Sequence, residues 1–211
     1  MTATQTPTET RDVACALDVE TGGVEDRHPT TQIAVVAYDE KTFDVVDELE
    51  IKLRFDEAAC DPEALKLNSY KPLLWRAEAV SENVAFRRLA IFFAAHATWR
   101  LVSKAGRPYT TTKLVAHNAA FDISRLRKVW ADAYTPFAWW YAHDTLQLAL
   151  WKLSSVVVPP ANYQLGTLCS YFGIEVEGAH DALADCRMTI KLAQVLTEMD
   201  PNRVCGEGSS S

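Results

Sequence analysis

The sequence predicts an α/β fold built on a mixed sheet. Strand-like runs crowd the first quarter of the chain, strand–helix alternation follows from about Lys113, and apolar stripes at helical spacing mark the second half. Val13–Glu20 reads as the first strand, bounded by Thr21-Gly22-Gly23. Gln32–Tyr38 and Val45–Phe55 read as the second and third, which suggests a meander. Asp61 and Pro62 open a short helix over Pro62–Asn68, as N-cap and first helical residue. A longer helix, Ser81–Leu101, sets Ala85, Leu89, Phe92, Phe93 and His96 on one stripe. After a short strand at Lys113–Ala116, Asn118 is placed to cap a helix reaching about Ala133, with Leu126, Val129, Trp130 and Ala133 inward. Trp139–Ala142 reads as a strand, Thr145–Leu153 as a helix and Val156–Ala161 as a loop, before closing helices at Leu165–Phe172 and Asp181–Met199. Residues 1–12 and 201–211 lack apolar periodicity and are expected to be disordered tails around one domain at 13–200.

Composition narrows the function. Nearly half of the 211 residues are hydrophobic and the net charge is −7, so no overall basic field draws phosphate from a distance. A protein that coats nucleic acid is disfavoured; an enzyme whose carboxylates are neutralised by metal is not. The five cysteines, Cys15, Cys60, Cys169, Cys186 and Cys205, form no CxxC pair and read as reduced thiols. The polar start lacks the basic and apolar stretches of a signal peptide, and no apolar run spans a bilayer, so a cytoplasmic protein without membrane partners is expected.

Three short constellations carry the chemistry. Asp18 and Glu20 sit two apart on a strand, so both carboxylates share a face. Neighbouring anions repel, and one takes up a proton unless a hard cation intervenes. The alternative for an isolated Asp-x-Glu is a solvated strand end. His117-Asn118-Ala119-Ala120-Phe121-Asp122 runs from a strand into a helix, where Asp122 projects near the strand's carboxyl end. His180-Asp181-Ala182-Leu183-Ala184-Asp185 opens the last helix, with Asp185 on its first turns and His180 on the segment before it. An imidazole accepts a proton near neutrality. Taken singly, the second and third read equally well as a capped helix with an exposed aspartate and a histidine capping a helix.

In that order, the three closely resemble the motifs of the DEDDh (DnaQ-like) 3′→5′ exonucleases, the family that includes RNase T and the proofreading epsilon subunit of bacterial DNA polymerase. The resemblance covers roughly residues 13 to 198. Thr21-Gly22 after the first motif, Pro62–Asn68 as a substrate-side helix and His143-Asp144-Thr145 add to it. It implies an RNase H-like fold, a five-stranded mixed sheet flanked by helices. It implies two Mg²⁺ (or Mn²⁺) ions, with Asp18 bridging, Glu20 and Asp185 on one ion, Asp122 on the other, and His180 as general base. The expected substrate is the 3′ end of single-stranded DNA or RNA, released as nucleoside 5′-monophosphates, with Thr21, Gly22, Leu67, Asn68 and Asn118 as substrate contacts. The backbone amides of Thr21 and Gly22 are expected to be free to approach it. A homodimer or a polymerase partner is compatible with the resemblance. The alternative on the same fold is a catalytically weak binding or scaffold protein.

The chain also departs from the family pattern. Gln32 stands where many members carry Glu, and Tyr70 where a small residue or Ile is usual. Lys71–Ala79 and Thr98–Thr112 do not map cleanly. Arg125, Arg127 and Lys128 form a basic group on the helix of Asp122, placed to hold phosphates; Arg87, Arg88, Arg100, Lys104 and Arg107 read as a solvated face. Of the tryptophans, Trp75, Trp139 and Trp140 fit helical periodicity least and are the ones that stacking on bases would use. Asp144 reads as the cap of the following helix.

Overall fold

A computed structural model describes residues 12–199 apart from positions 69, 177 and 179, with the side chains of Trp139 and Trp140 also outside the description. The expected tails, apart from Asp12, lie outside the described residues. The chain runs β1 (Val13–Thr21), β2 (Thr30–Asp39), β3 (Val45–Lys52), α1 (Pro62–Leu67), α2 (Pro72–Glu78), α3 (Glu82–Ala95) and β4 (Trp99–Val102). It continues with β5 (Pro108–Ala116), α4 (Ala119–Trp130), β6 (Ala138–Asp144), α5 (Thr145–Lys152), α6 (Leu165–Tyr171) and α7 (Ala182–Glu198). The sheet order is β3-β2-β1-β5-β4, with β6 also on β5. The meander β1–β2–β3 is antiparallel, whereas β1–β5 and β5–β6 are parallel, so the sheet is mixed.

Alternation along β1 divides the core. Val13, Cys15, Leu17 and Val19 face a cluster that includes Leu89 and Phe93 of α3 and Ile123 and Leu126 of α4. Ala14 and Ala16, with Ala34 and Val36 of β2, face Ala182, Cys186 and Ile190 of α7. The small side chains on this second face let α7 lie close to the sheet: the Cys186 thiol reaches the carbonyls of Ala16 and Ala34 at 3.4 Å each. Leu192 and Leu196 then bury α5 and α6 against the far half of α7.

The sheet carries a sixth strand beyond the expected five. The predicted helix over Ser81–Leu101 stops at Ala95 with His96 as its C-cap, and Trp99–Val102 pairs antiparallel with Pro108–Thr111. This hairpin turns through Ser103–Arg107, where Gly106 takes φ +74. The third strand ends at Lys52 rather than Phe55, and Pro72 opens the unexpected α2. No described helix is long and apolar enough to cross a membrane.

Candidate active site

Asp18 and Glu20 occupy the end of β1 on its α7 face. Here β1 has outrun β5, because the two pair only over Ala14–Ala16. Asp181 caps α7, its carboxylate accepting from the Ala184 amide at 3.2 Å. That start sets Asp185 one turn in, over the same sheet face. Ligand oxygens of Asp18, Glu20 and Asp185 lie within 4.8 Å of one another.

Asp122 arrives from the opposite layer. Its Oδ1 accepts the backbone amide of Val19, the residue between Asp18 and Glu20, at 3.0 Å. It is 3 % exposed and stands beside the trio rather than within it. Together with Phe121, His117, Asn118, Tyr163 and His180, the four carboxylates line an open cleft of about 530 Å³.

Electrostatics set the character of the site. Burial pushes Asp18 well above the usual carboxylate range, and the charges of Asp122, Glu20, Asp185 and Asp181 push it further. Burial also raises Asp122, against the pull of hydrogen bonds from its own amide and that of Val19. Glu20 rises to about 7 through burial and the charges of Asp185 and Asp181. Asp185 rises to about 6 through burial, with the His180 charge and backbone pulling it back. One Asp185 oxygen is buried and has no hydrogen-bond partner. An oxygen-only donor set, mutual repulsion and an orphaned buried oxygen together fit a hard divalent cation.

His180 lines the cleft on an exposed turn before α7, at φ +66, a left-handed conformation uncommon for a residue with a side chain. His117 plays a different part. Its Nδ1 meets the Thr145 hydroxyl and its Nε2 the Tyr163 carbonyl, each at 2.9 Å, so the ring pins the Tyr163 segment to the end of β5. Burial lowers its pKa, in keeping with a neutral ring donating from Nε2.

The expected substrate contacts fare unevenly. Asn118 lines the cleft but does not cap α4 with its side chain: it sits at φ 66, and its own amide and that of Ala119 donate to Asp144 at 3.0 and 3.1 Å. Asp144 also caps α5 through the Leu146 amide, so one carboxylate organises two helix starts. The Gly22 amide is not free for a ligand, because it donates to Pro29 at 2.8 Å. Gly22 is needed for space, since a Cβ there would fall 2.3 Å from the Cys60 sulfur. Asn68 is buried, and its amide nitrogen donates to the Thr21 carbonyl at 2.9 Å, tying α1 to the end of β1. Leu67 beside it is 56 % exposed. Thr21 is buried, with its hydroxyl on the Gly23 carbonyl.

Two of the three cations on α4 bond to the fold itself, while Arg127 is exposed beside Asp132 at 3.3 Å. Arg125, 3 % exposed, donates to the carbonyls of Val24 and Glu25 and stacks on Phe121, 4.8 Å from the ring centroid. Lys128 donates to the His28 carbonyl. These two cations hold the loop that follows β1. Trp75 is also structural, 7 % exposed with its indole nitrogen on the Thr31 carbonyl, and the side chains of Trp139 and Trp140 lie outside the described residues.

Comparisons with known proteins bear on the family and the fold. The family model described as Exonuclease (RNase T) matches residues 109–193. Ribonuclease T of Shewanella denitrificans is 34% identical over 146 residues, covering 65% of this chain and 57% of that enzyme. E. coli exonuclease I in complex with a dT13 oligonucleotide superposes with a TM-score of 0.69 at 20% identity, over 92% of this chain and 42% of that one. A zinc-bound complex of the same exonuclease with single-stranded DNA gives 0.66 at 20% identity, over 90% and 41%. The chain thus spans little more than half of the curated relative and less than half of the structural one. The likeness to exonuclease I is one of fold, the RNase H-like α/β sheet flanked by helices.

Proposed function

We propose that this chain, a relative of the DnaQ-like 3′→5′ exonucleases, removes nucleoside 5′-monophosphates from the 3′ end of single-stranded DNA or RNA. One observation carries the reading: carboxylates from β1 and α7 converge within 4.8 Å, and a fourth from α4 is bonded to the amide between the first two. Asp18, Glu20, Asp122 and Asp185 would together hold two Mg²⁺ or Mn²⁺ ions, an oxygen-only donor set suited to hard cations. When bound, such ions activate water as a nucleophile and stabilise the departing 3′ oxygen. His180, on its exposed turn at the cleft, takes the proton from the attacking water. Phe121, backed by Arg125, forms the apolar side of the cleft for the terminal nucleotide. A cleft of about 530 Å³ is large enough for a terminal nucleotide. The oligonucleotide complex of E. coli exonuclease I, on the same fold, supports the choice of single strands.

The test is digestion of 5′-labelled DNA and RNA oligonucleotides with Mn²⁺. A ladder shortening from the 3′ end and abolished by EDTA is expected. Oligonucleotides of both kinds left intact would instead favour a binding or scaffold protein.

A further inference from the structure

A second cleft lies at the same end of the sheet as the carboxylates. It measures about 310 Å³, and its walls include Arg54, Phe55, Tyr70, Trp75 and Arg76. Three aromatic rings meet there, with Phe55–Tyr70 centroids 5.2 Å apart and Tyr70–Trp75 centroids 5.1 Å apart. Trp75 is a fixed wall, closed by its bond to Thr31 and by Lys52 at 5.4 Å from its centroid. Phe55 and Tyr70 are only half-buried, so their rings reach the cleft. Arg54 and Arg76 are exposed at its rim, Arg54 anchored through its Nε to the Ala79 carbonyl at 3.0 Å. The opposing charge is Glu57, which accepts the Tyr70 hydroxyl at 2.7 Å.

The sheet register fixes where this cleft stands. Glu20 is opposite Gln32, and Gln32 is opposite Lys52, two residues before Arg54. Two strand spacings of about 4.8 Å put Lys52 about 10 Å from Glu20. A single strand a few nucleotides long bridges that gap. Half-exposed rings and two exposed guanidinium groups lining one cleft, in a chain of net charge −7, match a base with its flanking phosphates rather than a peptide or a lipid.

We propose that this aromatic–arginine cleft binds an upstream nucleotide of the single strand whose 3′ end lies at the carboxylates. The inference rests on the exonuclease reading above. The same segment, Tyr70 to Ala79, is among those that depart from the family pattern, and α2 is the element that places Trp75 and Arg76 at the cleft.

The test uses the full chain with Mn²⁺ and compares kcat/KM for dT10 with that for dT2. Tyr70→Leu is expected to lower the dT10-to-dT2 ratio about tenfold, through KM, and Arg76→Ala about threefold. Arg88→Ala, on the exposed side of α3, controls for loss of a cation alone. Ratios that stay at the wild-type value, or that fall equally in Arg88→Ala, overturn the cleft. If the wild-type protein degrades neither oligonucleotide, the exonuclease reading fails, and anisotropy of labelled dT10 decides the cleft separately. Weaker binding in Tyr70→Leu and Arg76→Ala than in Arg88→Ala sustains it; equal binding ends it.

Discussion

Glu20→Gln should stabilise the metal-free protein at alkaline pH while removing its activity. In the fold, the Glu20 carboxyl rises from 4.5 to about 7. At 1.36 kcal/mol per unit this corresponds to about 3 kcal/mol of folding free energy, an upper figure because the side chain is part-exposed at the cleft. The sign follows from proton binding. A raised pKa means that the folded state holds the proton more tightly than the unfolded chain does. This contribution to stability is fully present below about pH 4.5 and is lost as pH climbs through about 7. Above that, ionised Glu20 weighs against the fold, whereas glutamine of the same shape carries no charge. At pH 8 in EDTA the variant should therefore melt higher, by up to roughly 6–12 °C for a domain of this size. Toward pH 5 the gap should shrink to under about 1 kcal/mol. Mn²⁺ should raise the melting temperature of the wild type more than that of the variant. Thermal melts from pH 5 to 8, with EDTA and with Mn²⁺, measure all three. A variant that melts no higher than wild type at pH 8 without metal, or a gap that ignores pH, would refute the claim that burial and the neighbouring carboxylates raise Glu20.

Asp122 offers a related contrast, since Asn keeps an acceptor for the buried Val19 amide and Ala does not. Both Asp122→Asn and Asp122→Ala should be inactive, but chemical denaturation should find the Asn variant more stable by about 1–3 kcal/mol. Arg125→Ala should strip the Val24 and Glu25 carbonyls of their donors, at a cost of about 2–3 kcal/mol. The loosened loop should be cut faster by trypsin at the exposed Arg27, and an unchanged cleavage rate would show that Arg125 does not hold it. Calorimetry with Mn²⁺ should find metal affinity lost in Asp18→Ala and largely kept in His180→Ala; equal loss in both would contradict the assignment of His180 as base.

The parts of the site legible in the sequence are those fixed by local periodicity. Asp18 and Glu20 share a face because a strand repeats every two residues, and Asp185 follows from the helix start that the sequence places at Asp181, where the structure finds the cap. What stayed hidden depends on contacts between distant segments. Asn118 looks like the cap of α4, but the acceptor is Asp144, which β6 delivers only after the sheet has formed. Arg125 and Lys128 look like phosphate ligands because nothing local shows that the carbonyls of Val24, Glu25 and His28 will fold over them. The stripe of α3 runs on to His96 and conceals β4, whose half-buried Trp99 and Leu101 alternate with exposed Arg100 and Val102. That period of two is short enough to be read as a helix tail until β5 supplies its partner.

The asymmetry of the four carboxylates has a structural cause. Asp18, Glu20 and Asp185 meet on one face because Ala14, Ala16 and Ala34 leave room for α7 to approach. Asp122 belongs to the layer on the other side and cannot join them by packing alone. It reaches the site because β1 and β5 part company after Ala16, leaving the Val19 amide to bond with it. The bond that places Asp122 therefore satisfies a backbone donor of the sheet itself. It follows that the spacing of the fourth carboxylate from the other three is governed by where β5 ends and α4 begins. Asp144 sets that junction by holding the amides of Asn118 and Ala119. Asp144 thus acts on the site without lining its cleft, through the helix start that carries Asp122.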